Sequence, residues 1–146
     1  MSATSAELPA RVVLDAGPLI ALLHGRDPDH VTALAGFRQL AGARARLITP
    51  LPIVFEVFKW LVYEAHAGAA RIGLQRMQRS LEIVYPGARS LDDLTSVLTA
   101  MPTWSGTLED ALVAVTGLSL GAPIWTLNFR DLSAFRSLQF WTPDAS

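Results

Sequence analysis

The chain has 146 residues, of which 51% are hydrophobic and none is cysteine, and its formal net charge is −1. The hydrophobic content excludes a disordered chain, and the length fits a single domain with its own core. The lack of cysteine excludes disulfides, thiolate metal sites and a catalytic thiol, which suits a cytoplasmic location, and the charge excludes a uniformly basic nucleic-acid-binding surface.

The first half of the chain reads as strand, helix, helix, strand and helix. We predict that residues 1–10 form a flexible tail and that a single domain spans residues 11–143. Residues 11–15, Arg-Val-Val-Leu-Asp, are an apolar run that ends in an acid, which is typical of a strand buried on both faces. Gly17 and Pro18 then begin a helix, because proline lacks an N–H that the first helical turn leaves unpaired anyway. After them we predict a helix at 31–41, a strand at 47–48 and a helix at 53–64.

The second half continues the alternation of strands and helices. The predicted elements are a basic helix at 71–79, a strand at 82–85, helices at 90–98 and 107–120, a strand at 123–126 and an edge strand at 138–141. The buried side of the helix at 107–120 is expected to consist of Leu108, Leu112, Val115 and Leu118. Gly121 ends that helix, as glycine does at many helix C-termini. The alternation predicts an α/β fold, a three-layer α/β/α domain around a mostly parallel sheet of about five strands.

Several polar side chains lie at the ends of the predicted strands or on the helices next to them. Asp15 ends the first strand, and Glu56 lies on the helix after the second. Asp110 lies near the start of the helix before the fourth strand, and Asn128 and Asp131 follow that strand. Sites in parallel sheets form at the carboxyl ends of the strands, so these side chains can converge. Clustered carboxylates repel each other unless a cation neutralises them, and Mg²⁺ prefers oxygen ligands, so the pattern predicts a metal site.

Each of these residues also has a structural alternative. Asp15 can cap the helix that follows it, and Glu56 can pair with Lys59 three residues along the same helix. Asp110 can complete a capping box with Thr107. The two polar residues after the fourth strand can be a turn residue and a helix cap. No single acid decides between these explanations, but their joint placement favours the metal site.

Taken together, four segments resemble the PIN-domain family, particularly VapC-like toxins. They are VVLDAGPLIALL (12–23), ITPLPIVFEVFKWL (48–61), TLEDALVAVTGLSLGAPIWTLNFRDL (107–132) and LQFWTP (138–143). The segments keep the family's order from one end of the chain to the other. The family's three acids correspond to Asp15, Glu56 and Asp110, and its fourth polar position corresponds to Asn128. The stretch Thr-x-Asn-x-x-Asp that ends in Asp131 also resembles the family.

The resemblance implies a PIN-like domain that cleaves RNA as an endoribonuclease with Mg²⁺, or with Mn²⁺ in its place. It also implies a homodimer and inhibition by a small antitoxin encoded beside it. On this basis the catalytic residues are Asp15, Glu56, Asp110 and Asn128, and the three carboxylates among them are the metal ligands. Because the amide of Asn128 carries no charge, we expect one firm metal site and a weaker second site.

Further polar residues are assigned to the surroundings of this site. Asp131, Thr107 and Thr126 are expected to support the metal ligands. RNA contacts are assigned to Arg71, Arg76, Arg79 and Arg130, with a solvated helix face as the alternative for the first three. The apolar and aromatic excess of residues 53–63 favours a homodimer interface. No membrane span is expected, since the longest uncharged run, residues 111–129, is interrupted by two glycines and a proline.

Two other functions remain open at this point. In the first, the chain is a catalytically weak or silent PIN-like module that binds RNA or protein, and its acids are helix caps. Asn128, which stands where an acid is common, keeps this alternative open. The second is a phosphate-ester hydrolase with Asp15 as the nucleophile, which is disfavoured because Gly17 stands where a second aspartate is wanted.

Overall fold

The computed structural model describes residues 8–144. The flexible tail predicted at residues 1–10 lies mostly outside the described residues, and residues 8–10 lead into the first strand without forming a helix or strand. The strands are β1 (Arg11–Leu14), β2 (Arg46–Pro50), β3 (Glu82–Val84) and β4 (Ile124–Trp125). The helices are α1 (Ala16–Leu23), α2 (His30–Gly42), α3 (Leu51–Glu64), α4 (Ala67–Ser80), α5 (Ser90–Thr99), α6 (Leu108–Leu120) and α7 (Phe129–Leu132).

The strands form one parallel sheet in the order β3-β2-β1-β4. Val13 in the centre of β1 pairs with Ile48 of β2 on one side and with Ile124 of β4 on the other. Val12 and Val13 point to opposite faces of the sheet, and both are fully buried. Helices therefore cover both faces. Helices α1 to α4 contact one another in one group, and α6 contacts the strands together with α5 and α7. The predicted three-layer α/β/α fold is confirmed.

The sheet has four strands within residues 8–144, one fewer than the five predicted. The segment predicted as an edge strand makes only a single parallel bridge, between Phe140 and Ile124. There the N–H of Ile124 donates to the Gln139 carbonyl, and the N–H of Trp141 donates to the Ile124 carbonyl. The pairing does not continue to the N–H of Thr126, and the following donor on the edge segment would be residue 143, a proline without an N–H.

Helix α6 packs through a different face from the one expected. Leu108 and Leu118, which were expected to be buried, are 51% and 41% exposed. The buried residues of the helix are Asp110, Ala111, Val113, Ala114, Thr116 and Gly117. Small side chains let the helix approach the sheet closely, and a Cβ at Gly117 would overlap the side chain of Ile124. The close approach brings Asp110 to the sheet.

The strand order places a crevice at the carboxyl ends of β1 and β4. From the central β1 the chain proceeds to β2 and β3 on one side, whereas β4 returns on the other side. Connections that leave in opposite directions open a gap between the loops at this end of the sheet, where ligands bind in such folds. Asp15 and Thr126 directly follow the two strands at this point. Within residues 8–144 no helix combines the length and apolar character that crossing a membrane requires.

Candidate active site

Asp15 is held at the end of β1 by two hydrogen bonds. Its Oδ1 accepts from the backbone N–H of Ala16 at 2.8 Å, so Asp15 does cap α1. Its Oδ2 accepts from the hydroxyl of Thr126 at 2.7 Å. The residue is 4% exposed, and burial raises the pKa of its carboxyl in spite of these bonds, with the negative charge of Asp110 adding to the effect. Asp15 can therefore cap α1 and also present its carboxylate to the crevice.

Thr126 connects the end of β4 to both sides of the crevice. Its side chain is fully buried. Its Oγ1 donates to Asp15 and accepts from the backbone N–H of Asn128 at 2.9 Å. Because both bonds use one hydroxyl, Thr126 fixes the position of the Asp15 carboxylate relative to the turn at Asn128. The predicted role of Thr126 in supporting a metal ligand would act through this contact with Asp15.

The side-chain amide of Asn128 lies between two carboxylates and donates to both. Its Nδ2 donates to Oδ2 of Asp110 at 3.1 Å and to Oδ2 of Asp131 at 3.0 Å. The residue also precedes α7 as its N-terminal cap. In this arrangement the amide nitrogen, and not the amide oxygen, faces the carboxylates. Asn128 thus supplies partial positive charge between two acids.

Asp110 reaches the crevice from the first turn of α6. Thr107 caps this helix, since its Oγ1 accepts from the N–H of Asp110 at 3.1 Å. The carboxylate of Asp110 is 9% exposed and accepts from Asn128. Capping by Thr107 therefore orients the first turn of α6, while the Asp110 side chain itself faces the other site residues.

Glu56 enters the crevice from α3. It makes no ion pair with Lys59, because the ion pairs within residues 8–144 are Arg46–Glu82 and Arg130–Asp131. Its pKa is raised to about 7, first by desolvation and then by the negative charges of nearby carboxylates. Those carboxylates belong to Asp15, Asp110 and Glu109. Glu56 is thus electrostatically coupled to the crevice and not to Lys59.

These side chains line one acidic cleft of about 310 Å³. Its lining residues are Asp15, Ala16, Gly17, Glu56, Thr107, Glu109, Asp110, Leu127 and Asn128. The lining includes four carboxylates and no lysine or arginine. Glu109 was not predicted as a site residue from the sequence. Its position beside Asp110 in the first turn of α6 is a signal that could have identified it.

The acidic cleft presents oxygen donors of the kind that a hard divalent cation takes. In the present side-chain positions, no group of three or more His, Cys, Asp or Glu residues among residues 8–144 is arranged to hold a metal ion. A magnesium ion usually takes one or two carboxylates directly and keeps several of its waters. The donor set fits a cation held in that way, and the raised pKa of Glu56, caused first by burial and then by the neighbouring negative charges, agrees with it.

The remaining predicted residues lie outside the lining of the acidic cleft. Asp131 is half-buried and accepts from Asn128, and the Nε of Arg130 lies 4.0 Å from its Oδ1. Arg71 and Arg79 are exposed on α4. Arg76 lines a separate apolar groove of about 480 Å³ that shares no residue with the acidic cleft. None of the three arginines of α4 lines the acidic cleft.

Comparison with known proteins gives structural matches without sequence matches. No protein-family model and no curated protein matches the chain. The structure of VapC20 from Mycobacterium tuberculosis, a sarcin–ricin-loop-cleaving toxin, matches with a TM-score of 0.75 at 16% identity, covering 90% of this chain and 99% of that one. The chain has the PIN-like fold of VapC toxins. The resemblance drawn from the sequence is confirmed for the fold.

Two toxin–antitoxin structures show the same likeness. VapBC2 from Rickettsia felis, bound to a DNA fragment from its promoter, matches with a TM-score of 0.70 at 14% identity, covering 92% of this chain and 99% of that one. VapBC-1 from nontypeable Haemophilus influenzae matches with a TM-score of 0.67 at 17% identity, covering 90% and 97%. The matches extend over nearly the whole length of both chains, so they concern the complete fold and not one shared motif.

Proposed function

We propose that the protein is a metal-dependent endoribonuclease that acts as the toxin of a toxin–antitoxin pair. The observation that carries the proposal is the acidic cleft, in which carboxylates from the end of β1, from α3 and from α6 meet at the crevice between β1 and β4. A cleft with four carboxylates and no basic side chain suits a cation-dependent reaction on a polyanion. The matching fold of a toxin that cleaves the sarcin–ricin loop supports RNA as the polyanion.

Asp15 and Asp110 are the residues that would hold Mg²⁺ or Mn²⁺, with Glu56 assisting directly or through water. A divalent cation bound there would lower the pKa of a water and neutralise charge on the scissile phosphate. Thr126 keeps the carboxylate of Asp15 in place through its hydroxyl. Asn128, being uncharged, makes a second cation site weaker, so we expect that site to fill when substrate phosphate adds negative charge.

Two protein partners belong to the proposal. An antitoxin is supported by the fold shared with the toxin–antitoxin structures VapBC2 and VapBC-1. A homodimer is supported by the exposed apolar side chains of α3, where Val62 is 36% and Tyr63 is 76% exposed. We place the protein in the cytoplasm, because that compartment contains RNA and does not maintain disulfides.

The test is incubation of the purified protein with total and structured RNA, in Mg²⁺ and in EDTA. The proposal expects cleavage in Mg²⁺ that EDTA and the Asp15→Asn substitution both abolish. Calorimetric titration with Mn²⁺ gives a second readout, because wild type should bind the ion and Asp15→Asn should not. RNA binding with neither metal binding nor cleavage would instead favour the silent PIN-like module.

A further inference from the structure

Glu109 is an acidic side chain of the cleft to which the proposed function gives no role. It is half-buried and lines the acidic cleft together with Asp15, Glu56 and Asp110. It takes part in none of the ion pairs found within residues 8–144. Glu109 therefore adds a negative charge to the cleft that no basic side chain pairs with.

The position of Glu109 on α6 does not by itself explain why it lies in the cleft. An acid in the first turn of a helix interacts favourably with the helix dipole. Asp92 and Asp93 are the acids of the first turn of α5, and both are exposed and line neither the cleft nor the groove beside it. Glu109 differs from them because it shares its space with three other carboxylates, which repel it.

Asn128, at the family's fourth polar position, directs its nitrogen and not its oxygen at the carboxylates. Its Nδ2 donates to Asp110 and Asp131, and its Oδ1 accepts from the backbone N–H of Asp131 at 3.5 Å. An N–H group carries partial positive charge and does not bind a cation. The side chain at position 128 therefore supplies no negative charge for a second cation.

Glu56 and Glu109 lie together where the cleft continues into a neighbouring groove between α3, α5 and α6. Both residues line the cleft and the groove, and the charge of Glu109 acts on Glu56. Lys59 is the one lysine or arginine in the groove lining, so the two glutamates keep a net negative charge there. A cation that binds between two repelling carboxylates relieves their repulsion.

We propose that Glu109 is a further metal ligand of the acidic cleft and that, with Glu56, it holds the second, more weakly bound cation. The inference rests on the proposed function and assigns the residue that supplies the charge which Asn128 lacks. Asp15 and Asp110 remain the ligands of the first cation. Two carboxylates suffice for Mg²⁺ or Mn²⁺, because such an ion keeps several of its waters.

The test counts bound Mn²⁺ ions, with the metal alone as the probe and no RNA present. Electron paramagnetic resonance measures free Mn²⁺ while the ion is titrated to millimolar concentration into wild type and Glu109→Gln. Wild type should bind one ion tightly and a second weakly. Glu109→Gln should leave the tight ion unchanged and weaken the second by roughly tenfold or more, since changes even around metal ligands have effects of that size. In cleavage assays the variant should need a correspondingly higher Mn²⁺ concentration for its half-maximal rate.

Two control variants separate metal binding from general effects of charge and folding. Asp92→Asn removes a first-turn acid outside the cleft and should leave both ions in place. Asn128→Ala should also keep the weak ion, because position 128 supplies none of its charge. In EDTA the Tm of Glu109→Gln should be above that of Asp92→Asn, since both lose an acid at a helix start but only Glu109→Gln also loses repulsion.

Three results would overturn the inference. The first is a weak ion that Glu109→Gln binds as well as wild type does, and the second is loss of the tight ion in that variant. The third is a wild type that binds a single ion at millimolar Mn²⁺. A wild type that binds no Mn²⁺ and cleaves no RNA would remove the proposed function as well. A wild type that cleaves RNA while Glu109→Gln matches it in Mn²⁺ binding would remove the inference alone.

Discussion

Replacing Glu56 by glutamine should stabilise the metal-free protein at pH 8 and change little at pH 5. The folded protein raises the pKa of Glu56 to about 7 from an ordinary value of 4.5, through desolvation and the charges of Asp15, Asp110 and Glu109. A carboxyl whose pKa is raised by folding binds more protons in the folded state. Its favourable contribution is therefore fully present below about pH 4.5 and is lost as pH rises through about 7.

The size of the effect follows from the burial of the side chain. Glu56 is only half-buried, so water screens part of the repulsion that the pKa implies. We therefore expect Glu56→Gln to raise the free energy of unfolding by about 1–2 kcal/mol at pH 8. For a chain of this length, that corresponds to roughly 3–8 °C in Tm.

The assay is thermal unfolding in EDTA at pH 5 and pH 8, with Glu64→Gln as the control. Glu64 ends the same helix and is exposed, so its substitution should shift Tm little at either pH. Adding Mg²⁺ at pH 8 should raise the Tm of wild type more than that of Glu56→Gln, because the cation relieves the same repulsion. A Glu56→Gln variant that is destabilised at pH 8, or equally shifted at both pH values, would refute the electrostatic reasoning.

Three further predictions concern the acids, their support and the assembly. Asp15→Asn should abolish RNA cleavage while circular dichroism shows a Tm equal to or above that of wild type; a large loss of Tm with residual cleavage would make Asp15 a structural cap. Thr126→Val should weaken Mn²⁺ binding roughly 10–100-fold in calorimetry, and Thr126→Ser should restore it, because the hydroxyl holds Asp15. Light scattering should give a dimer for wild type and a monomer for Tyr63→Lys; a wild-type monomer across all concentrations would contradict the interface on α3.

The sequence was informative about the secondary structure where short apolar runs alternate sharply with polar residues. The run that ends in Asp15 is typical of a buried strand, and the structure has β1 there with the acid directly after it. Helix α6 was harder to orient from the sequence, because leucines, valines and alanines make most of its surface apolar. Periodicity cannot select a face in such a helix, and close packing against Ile124 made the small residues the buried ones.

Two features of the site depend on contacts between distant segments, which the sequence does not display. Glu109 lines the cleft only because the first turn of α6 faces α3, and its neighbour Asp110 already accounted for the acid expected there. The direction of the Asn128 amide depends on two acids, one of them eighteen residues away along the chain. A pattern of residue types places Asn128 near the carboxylates but does not say which of its atoms faces them.

The orientation of the Asn128 amide determines the effect that an aspartate at position 128 should have on stability and on metal binding. The Nδ2 of Asn128 donates to both Asp110 and Asp131, and an aspartate there would add a third negative charge. Asn128→Asp should therefore lower the Tm in EDTA and, for the same reason, tighten Mn²⁺ binding measured by calorimetry. Asn128→Ala, as the matched variant, also removes the donor but adds no charge, so it should lower Tm without tightening the metal. It should reduce cleavage less than any change at Asp15. If Asn128→Asp binds Mn²⁺ no better than wild type, position 128 does not take part in holding the cation.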